Sequence, residues 1–311
     1  MALTFRELRP DDRFPSEDPA FRWRAERNPA GTITLGAFEG EEPRAACSLV
    51  LHDLWAAGKE RKFGELIELR GGPELILCVR GLLEEHGHPK AATVVYAWPS
   101  AAHGRMLERM QRFETVRSET WLKRDVSRAP AAAETEPSVE TLSAFDEQAR
   151  WLFDRCAGAF GAAVVRDAAF LNWRFDDDAG VSFLRLGVRD GEGILRGYAV
   201  LEARPTEGEV RLVDWLVPAD EPEVGERLQV AASAAARAAG AHTLATVLVP
   251  WSPWFTRFQT WGYRVEPARS FLLAKSSVRK LDDLWLRDGW WTTLADRSGL
   301  SGAMLGGWET S

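Results

Sequence analysis

One carboxylate in this sequence stands where a proton-transfer group would be useful. Asp214 interrupts an apolar run, Leu212–Val217, whose pattern indicates a β-strand. A carboxyl group buried in such a strand favours its neutral form, which suits it to take up and release a proton. The alternative is a side chain at a strand end whose oxygens accept hydrogen bonds from nearby amides. Asp214 is therefore a candidate general base, with both interpretations open.

Other residue types that could do chemistry lack partners at a useful spacing. His86 and His88 could form half of a metal site, but no further ligand follows at the required spacing, so we expect no metal. No serine stands in a G-x-S-x-G elbow. The cysteines, Cys47, Cys78 and Cys156, are far apart and include no C-x-x-C pair. They are expected to be free buried thiols in a reducing cytoplasm.

The chain contains fourteen tryptophans, which is unusual for its length. Trp215, Trp251 and Trp254 cluster around the Asp214 strand and the next apolar run. Large aromatic side chains most often fill cores and domain interfaces. They can also wall a cleft for a sugar, an aromatic amine or a fatty acyl chain. We take these three as candidate substrate-binding residues.

Composition limits the class of protein. A length of 311 residues suggests two domains, and 45% hydrophobic with 27% charged residues is ordinary for a soluble globular protein. The net charge of −7 argues against nucleic-acid binding. No apolar stretch is long enough for a membrane span, and the N terminus lacks the apolar core of a signal peptide. These features predict a cytoplasmic protein with no membrane partner.

The chain repeats itself. Phe21-Arg-Trp23-Arg24 corresponds to Phe170-Leu-Asn-Trp173-Arg174, and Ala92–Trp98 corresponds to Ala245–Trp251 at nearly the same spacing. Between the copies, residues 127–138 contain two prolines, a run of small residues and no large apolar group. We therefore predict a first domain over residues 1–125, a linker over 126–140 and a second domain with a C-terminal tail over 141–311.

Both copies show one order of elements. A strand hairpin is followed by a long strand, a helix, a strand, a helix and a closing strand. In the second copy the long strand is predicted at Val210–Val217, the first helix at Glu223–Ala239 and the next strand at Thr243–Val249. The sequence thus predicts two tandem α/β units, each a twisted mixed sheet flanked by helices.

This order resembles the GCN5-related N-acetyltransferase (GNAT) fold. Phe170–Phe175 and Asp288–Asp296 also resemble segments of bacterial tandem GNAT proteins. The resemblance implies an acyl-CoA cofactor in a gap between two central strands, where its pantetheine pairs with a strand edge. It implies a pyrophosphate site at the start of the following helix.

In the second copy the resemblance assigns cofactor binding to Leu216, Val217, Gly225, Glu226 and Arg227. The loop departs from the family motif, Arg/Gln-x-x-Gly-x-Gly/Ala. Three carboxylates precede the helix and repel phosphate: Asp220, Glu221 and Glu223. The first copy offers Arg70-Gly-Gly-Pro-Glu74, which is better in charge but is also not the motif.

Many GNAT enzymes protonate the leaving thiolate with a tyrosine. The matching position in the second copy is Phe258, which cannot donate a proton, and in the first copy it is Glu108. Glu108 is therefore a candidate catalytic residue, although a helix-surface glutamate is the simpler interpretation.

The resemblance favours transfer of an acyl group from acyl-CoA to the amine of a small molecule, with one copy active. A non-catalytic ligand-binding or scaffolding protein is the alternative, favoured by the altered loops and missing tyrosine. A tRNA-dependent aminoacyl transferase, also built from tandem GNAT units, fits the acidic charge less well. The substrate, the active copy and the oligomeric state are left open by the sequence.

Overall fold

The computed structural model describes residues 3–8, 12, 19–128, 139–176, 181–203 and 207–297, with the backbone alone for 19–22, 268 and 269. Most of the predicted linker lies outside these ranges. The elements of the first copy are β1 (Leu3–Glu7), α1 (Pro19–Arg27), β2 (Thr32–Glu39), β3 (Glu42–Ala56), β4 (Lys59–Gly71), α2 (Glu74–His86), β5 (Val94–Ala97), α3 (Ala101–Gln111) and β6 (Glu114–Asp125).

The second copy repeats this order with additions. Its elements are β7 (Val139–Thr141), α4 (Gln148–Ala157), β8 (Ala162–Val164), α5 (Ala168–Arg174), β9 (Phe183–Arg189), β10 (Leu195–Glu202), β11 (Glu209–Leu216), α6 (Pro222–Ala238), β12 (Thr243–Val247), α7 (Pro253–Thr260), β13 (Arg264–Ser276) and α8 (Asp283–Gly289). Short 3-10 turns follow at Arg279–Leu281 and Leu294–Asp296. The predicted hairpins, central strands and helices are confirmed to within a few residues, except that β3 and β4 extend to a turn at Ala57 and Gly58.

Within the described ranges, the strands form one mixed sheet of thirteen strands, in the order β1-β2-β3-β4-β5-β13-β6-β12-β11-β10-β9-β7, with β8 added beside β3. The closing strands are exchanged between the copies. β13 of the second copy pairs with β5 of the first, and β6 of the first pairs with β12 of the second. β6 and β13 also pair with each other. The two units therefore share one sheet through a strand swap, which the repeat in the sequence did not reveal.

The sheet is covered on both faces. On its outer face, α2 and α3 bury one apolar core over the first copy, and α6 and α7 bury another over the second. On the inner face a single core spans both copies and includes side chains of α4, α5 and the tail. Burial on both faces explains why the central strands are almost continuously apolar.

The repeat anchors lie at matching places. Trp23 and Trp173 stack on each other with ring centroids 4.6 Å apart. Each indole also donates to the other's backbone carbonyl, at 3.0 Å from Trp23 and 3.4 Å from Trp173. Trp98 and Trp251 both follow the second central strand of their copy, precede the serine that caps the next helix, and pack against the inner core. The anchors that are similar in sequence thus occupy equivalent positions in the order of elements of the two copies.

The tail from Trp290 to Arg297 is held inside the inner core by both copies. Arg117 from β6 donates to the Trp290 carbonyl at 2.8 Å, and Arg174 from α5 donates to the Ala295 carbonyl at 2.8 Å. Burial lowers the pKa of both arginines to about 10. The tail thus closes the inner face over the junction of the two units.

Candidate acyl-CoA sites

Each copy contains one place where two parallel central strands separate. β4 and β5 pair from Phe63–Val94 to Glu65–Tyr96 and then diverge. β11 and β12 pair from Glu209–Thr243 to Arg211–Ala245 and then diverge. We call these gaps the first and second splay. Both copies therefore contain a gap between two parallel central strands, as the resemblance predicts.

A β-bulge lies beside each splay. In β4 the register against β3 shifts by one residue between Ile67 and Arg70, and Glu68 adopts a left-handed backbone with φ 53°. In β11 the register against β10 shifts between Leu212 and Asp214. A bulge bends its strand away from its neighbour and re-aims side chains. The bulges therefore account for the divergence of the strands.

The first splay opens to the surface. Ile67, Leu69 and Arg70 are half-buried, and Gly71 and Gly72 are exposed. Gly71 has φ 117°, and a Cβ there would lie 2.5 Å from the Arg44 carbonyl oxygen, so only glycine fits. α2 begins directly afterwards at Glu74, with no side chain capping its N terminus. Arg70 favours phosphate oxygens beside this helix start, although the first turn of α2 also carries the carboxylate of Glu74.

Two carboxylates stand beside the first splay on the inner face, and neither is among the site residues predicted from the sequence. Glu65 is 2% exposed and occupies the last paired position of β4, opposite Tyr96. Glu68 is held in the bulge by a buried ion pair with Arg24 and a hydrogen bond of 2.7 Å from Ser48. The sequence could have indicated both residues, because two carboxylates at nearby positions in an apolar strand are unusual.

The environment of Glu65 is aromatic and polar. The His52 Nε2 atom lies 3.8 Å from the Glu65 carboxylate, inside a ring of Tyr96, Phe170 and Trp173. Burial raises the pKa of Tyr96 well above its ordinary value, so its hydroxyl keeps the proton that it donates to the Asp296 carbonyl at 3.2 Å. Glu65 is thus the carboxylate placed closest to the point where β4 and β5 part.

The second splay is filled by the protein itself. The indole nitrogen of Trp254 donates to the Val217 carbonyl at 2.8 Å, so this predicted cofactor contact is already taken. The Thr246 hydroxyl donates across the gap to the Leu212 carbonyl at 2.9 Å. A Cβ on Gly225 would lie 2.4 Å from the Trp254 ring, so the ring packs directly on the helix backbone. The Val217 carbonyl therefore already has a hydrogen-bond donor within the protein, and its role as a cofactor contact stays a prediction.

The start of α6 is occupied by its own charges. Glu221 forms ion pairs with Arg155 and Arg196 at the helix N terminus. Asp220 and Glu223 are exposed beside it, as are the predicted cofactor residues Glu226 and Arg227, while Gly225 and Leu216 are buried. This helix start presents carboxylates where a pyrophosphate would need donors.

Asp214 lies in a buried ion network. Its carboxylate accepts from Tyr198 at 2.8 Å and Thr293 at 2.7 Å, and pairs with Arg166 at 3.1 Å. Arg166 also pairs with Asp296 of the tail at 2.8 Å. Burial opposes the charge of Arg166, but the two carboxylates outweigh it and raise its pKa above the ordinary value. These contacts support the interpretation of a satisfied structural carboxylate over that of a base open to substrate.

The remaining predicted site residues are dispersed. Trp215 of β11 and Trp254 of α7 are buried in the outer core with ring centroids 5.4 Å apart. Trp251 is half-buried against the inner core, on the other face of the sheet. Glu108 is exposed on α3 and accepts from the Thr115 hydroxyl at 2.8 Å. The three tryptophans therefore do not form one wall.

No protein-family profile matches the chain, and no curated protein sequence does. Solved structures match it along most of its length. A probable N-acyltransferase from Enterococcus faecalis V583 is 11% identical with a TM-score of 0.63, over 90% of this chain and 74% of that one. The tandem GNAT protein of the clavulanic acid pathway is 14% identical with a TM-score of 0.56, over 89% and 99%.

Saccharomyces cerevisiae N-myristoyltransferase, solved with myristoyl-CoA, is 12% identical with a TM-score of 0.56, over 88% of this chain and 82% of that one. Within the part of the chain that the structure describes, no helix is both long and apolar enough to cross a membrane. The paired splays, the shared order of elements and these matches agree. The chain has the fold of the GCN5-related N-acetyltransferases, in two tandem units.

Proposed function

We propose that this protein binds an acyl-CoA in the first splay and transfers the acyl group to an amine of a small molecule. The observation that carries the proposal is the difference between the two splays. The first leads to the half-buried Arg70 and the exposed Gly71 and Gly72, whereas the second is filled by Trp254. A single acyl-CoA per chain follows from this assignment.

In this proposal the pantetheine pairs with the free edge of β4 beyond Glu65, and Arg70 and the start of α2 bind the pyrophosphate. The amine nitrogen attacks the thioester carbonyl carbon, the C–S bond breaks, and the CoA thiolate leaves. Glu65 accepts the proton of the attacking amine, as the carboxylate nearest to the splay. Glu108 remains our candidate for returning a proton to the thiolate, because it lies on the helix that follows β5.

Binding and turnover are tested separately. Thermal unfolding and calorimetry with acetyl-CoA and longer acyl-CoAs should show stabilisation and one site per chain. CoA release from the same thioesters, followed with a thiol reagent in the presence of a panel of amines, then tests transfer. Absence of any binding would refute the proposal.

A non-catalytic protein is the second candidate, and one observation favours it. Glu65 and His52 are each about 1–2% exposed, so the inner face beside the first splay is closed in this structure. Binding of acyl-CoA with no CoA release for any amine, and with equal affinity in a Glu65→Gln variant, would support this candidate over the enzyme.

A further inference from the structure

Two cysteines that are distant in the sequence meet beneath α2. Cys47 on β3 and Cys78 on α2 have their sulfur atoms 3.7 Å apart, and both side chains are fully buried in the outer core of the first copy. The Cys47 thiol donates to Cys78, whose thiol donates in turn to the Leu35 carbonyl at 3.2 Å. Sequence spacing gave no sign of the pair, since 31 positions separate the two residues.

A surface groove lies next to the residues that surround this cysteine pair. It lies between β1 and α2, has a volume of about 580 Å³, and is lined in part by Leu35, Leu77 and Gly81. Leu35 supplies the carbonyl that Cys78 contacts, and Leu77 and Gly81 flank Cys78 on its own helix. Leu77 is 43% exposed, and Gly81 has no side chain. The groove therefore reaches the neighbours of Cys78 on α2 and β2, while the Cys78 side chain itself is fully buried.

We propose that Cys47 and Cys78 are an oxidative modification site, at which a hydroperoxide entering from this groove converts the two thiols into a disulfide. The Cys78 sulfur attacks the outer oxygen of the peroxide, the O–O bond breaks, and an alcohol leaves, or water when the peroxide is hydrogen peroxide. The Cys47 sulfur then attacks the resulting sulfenic acid, the S–S bond forms, and the oxygen leaves as water. Two thiols are oxidised and one peroxide is reduced.

The pKa shifts of the two thiols fit this order of reaction steps. The hydrogen bond from Cys47 lowers the pKa of Cys78, while the same bond and burial raise the pKa of Cys47. The Cys78 thiol therefore ionises more readily than the Cys47 thiol, and the thiolate is the nucleophile. Cys156 is buried elsewhere, and burial raises its pKa to about 12, which makes it an internal control.

Formation of the bond has a mechanical consequence. A disulfide holds its sulfurs about 2.05 Å apart, so α2 and β3 must approach each other. α2 begins at the loop to which the proposed function assigns the pyrophosphate, and Cys78 lies one helical turn from Glu74. If that function is correct, the disulfide should weaken acyl-CoA binding several-fold, and dithiothreitol should restore it.

The test uses the full chain and hydrogen peroxide. After treatment, free thiols are alkylated and the digested protein is mapped by mass spectrometry. We expect a peptide that links Cys47 to Cys78, its loss on reduction, and an unmodified Cys156. A Cys156→Ala variant should form the same link, and Cys47→Ala should not. Because the map is read on the wild-type chain, the result stands even if Cys47→Ala folds poorly.

The outcomes separate this site from the proposed function. Sulfinic acid at Cys78 without a cross-link, or two unmodified thiols after prolonged treatment, would overturn the modification site. A cross-link in a protein that never binds acyl-CoA would confirm the site and refute the proposed function. A cross-link that leaves acyl-CoA affinity unchanged would overturn only the coupling through α2.

Discussion

The first and second splays share one backbone design and differ in what stands inside it. Both follow three parallel pairs, and both lie beside a bulge. In the first, the strand edge beyond Glu65 leads to an exposed Gly71-Gly72 loop. In the second, the Trp254 indole bonds to the Val217 carbonyl and covers Gly225.

Under the proposed function, the second splay keeps the backbone of the fold while its own side chains fill the gap. A splayed strand leaves backbone groups that must find a partner, whether ligand, water or side chain. Trp254 satisfies one of them and fills the volume with an aromatic ring, which contributes to the core. A closed slot is therefore a stabilising element, whereas an open slot is left incomplete until a ligand binds.

The largest effect on stability is expected from the buried ion network that joins the second copy to the tail. Arg166→Met would leave Asp214 and Asp296 buried without their shared counter-charge. Breaking such a network typically lowers the free energy of unfolding by about 3–5 kcal/mol. Urea unfolding measures the change. Arg150→Met, at an exposed pair with Glu60, should cost less than about 1 kcal/mol. Equal losses in the two variants would show that the buried network is not required.

Trp254→Ala tests whether the second splay is closed by packing. Loss of the ring and of its hydrogen bond should cost about 3–5 kcal/mol of unfolding free energy, because a cavity remains between α6 and α7. Trp151→Ala, at a position 53% exposed, is the matched control and should be nearly neutral. Added indole should restore part of the stability of Trp254→Ala and leave the wild type unchanged. No rescue by indole would mean that the site collapses.

Arg70→Ala and Arg227→Ala compare the two predicted phosphate sites directly. The half-buried Arg70 stands before the open loop, and the exposed Arg227 stands on α6. Calorimetry with acetyl-CoA should show affinity reduced about tenfold for Arg70→Ala, or about 1.4 kcal/mol, and more so at low salt. Arg227→Ala should bind as the wild type does. The reverse result would move the cofactor to the second copy.

Much of this comparison could be read from the sequence. Strand and helix periodicities gave the order of elements, and the anchors at Trp98 and Trp251 gave the repeat. The exchange of β6 and β13 could not be read, because both closing strands have the same local pattern. Which central strand each one joins is decided by tertiary packing and by the path between the copies, not by periodicity.

The side chains that fill or line the two splays could not be predicted from the sequence either. A tryptophan in the sequence is compatible with a core position and with a cleft wall. The close contact between Trp254 and Gly225 identifies Trp254 as a core residue that fills the second splay. Asp214 reads as a candidate base until Arg166, Tyr198 and Thr293 are placed around it. These partners come from separate elements, so no local pattern announces them. Glu65 and Glu68, by contrast, were visible as carboxylates within an apolar strand.

The smallest effect is expected from the acidic loop of the second copy. Asp220 is exposed before α6 and Glu223 is exposed in its first turn, and the sequence alone predicts that neutralising Asp220, Glu221 and Glu223 tightens acyl-CoA binding there. Since Trp254 already fills that splay, Asp220→Asn with Glu223→Gln should change acetyl-CoA affinity by less than about twofold at 0.15 M salt, where charges beyond about 8 Å are screened. The same pair of changes in a Trp254→Ala background provides the contrast. If Trp254→Ala opens a second binding site, Asp220→Asn with Glu223→Gln should increase the acetyl-CoA affinity of that site. A clear gain in the wild-type background would instead show that acyl-CoA approaches α6, and the assignment to the first splay would fail.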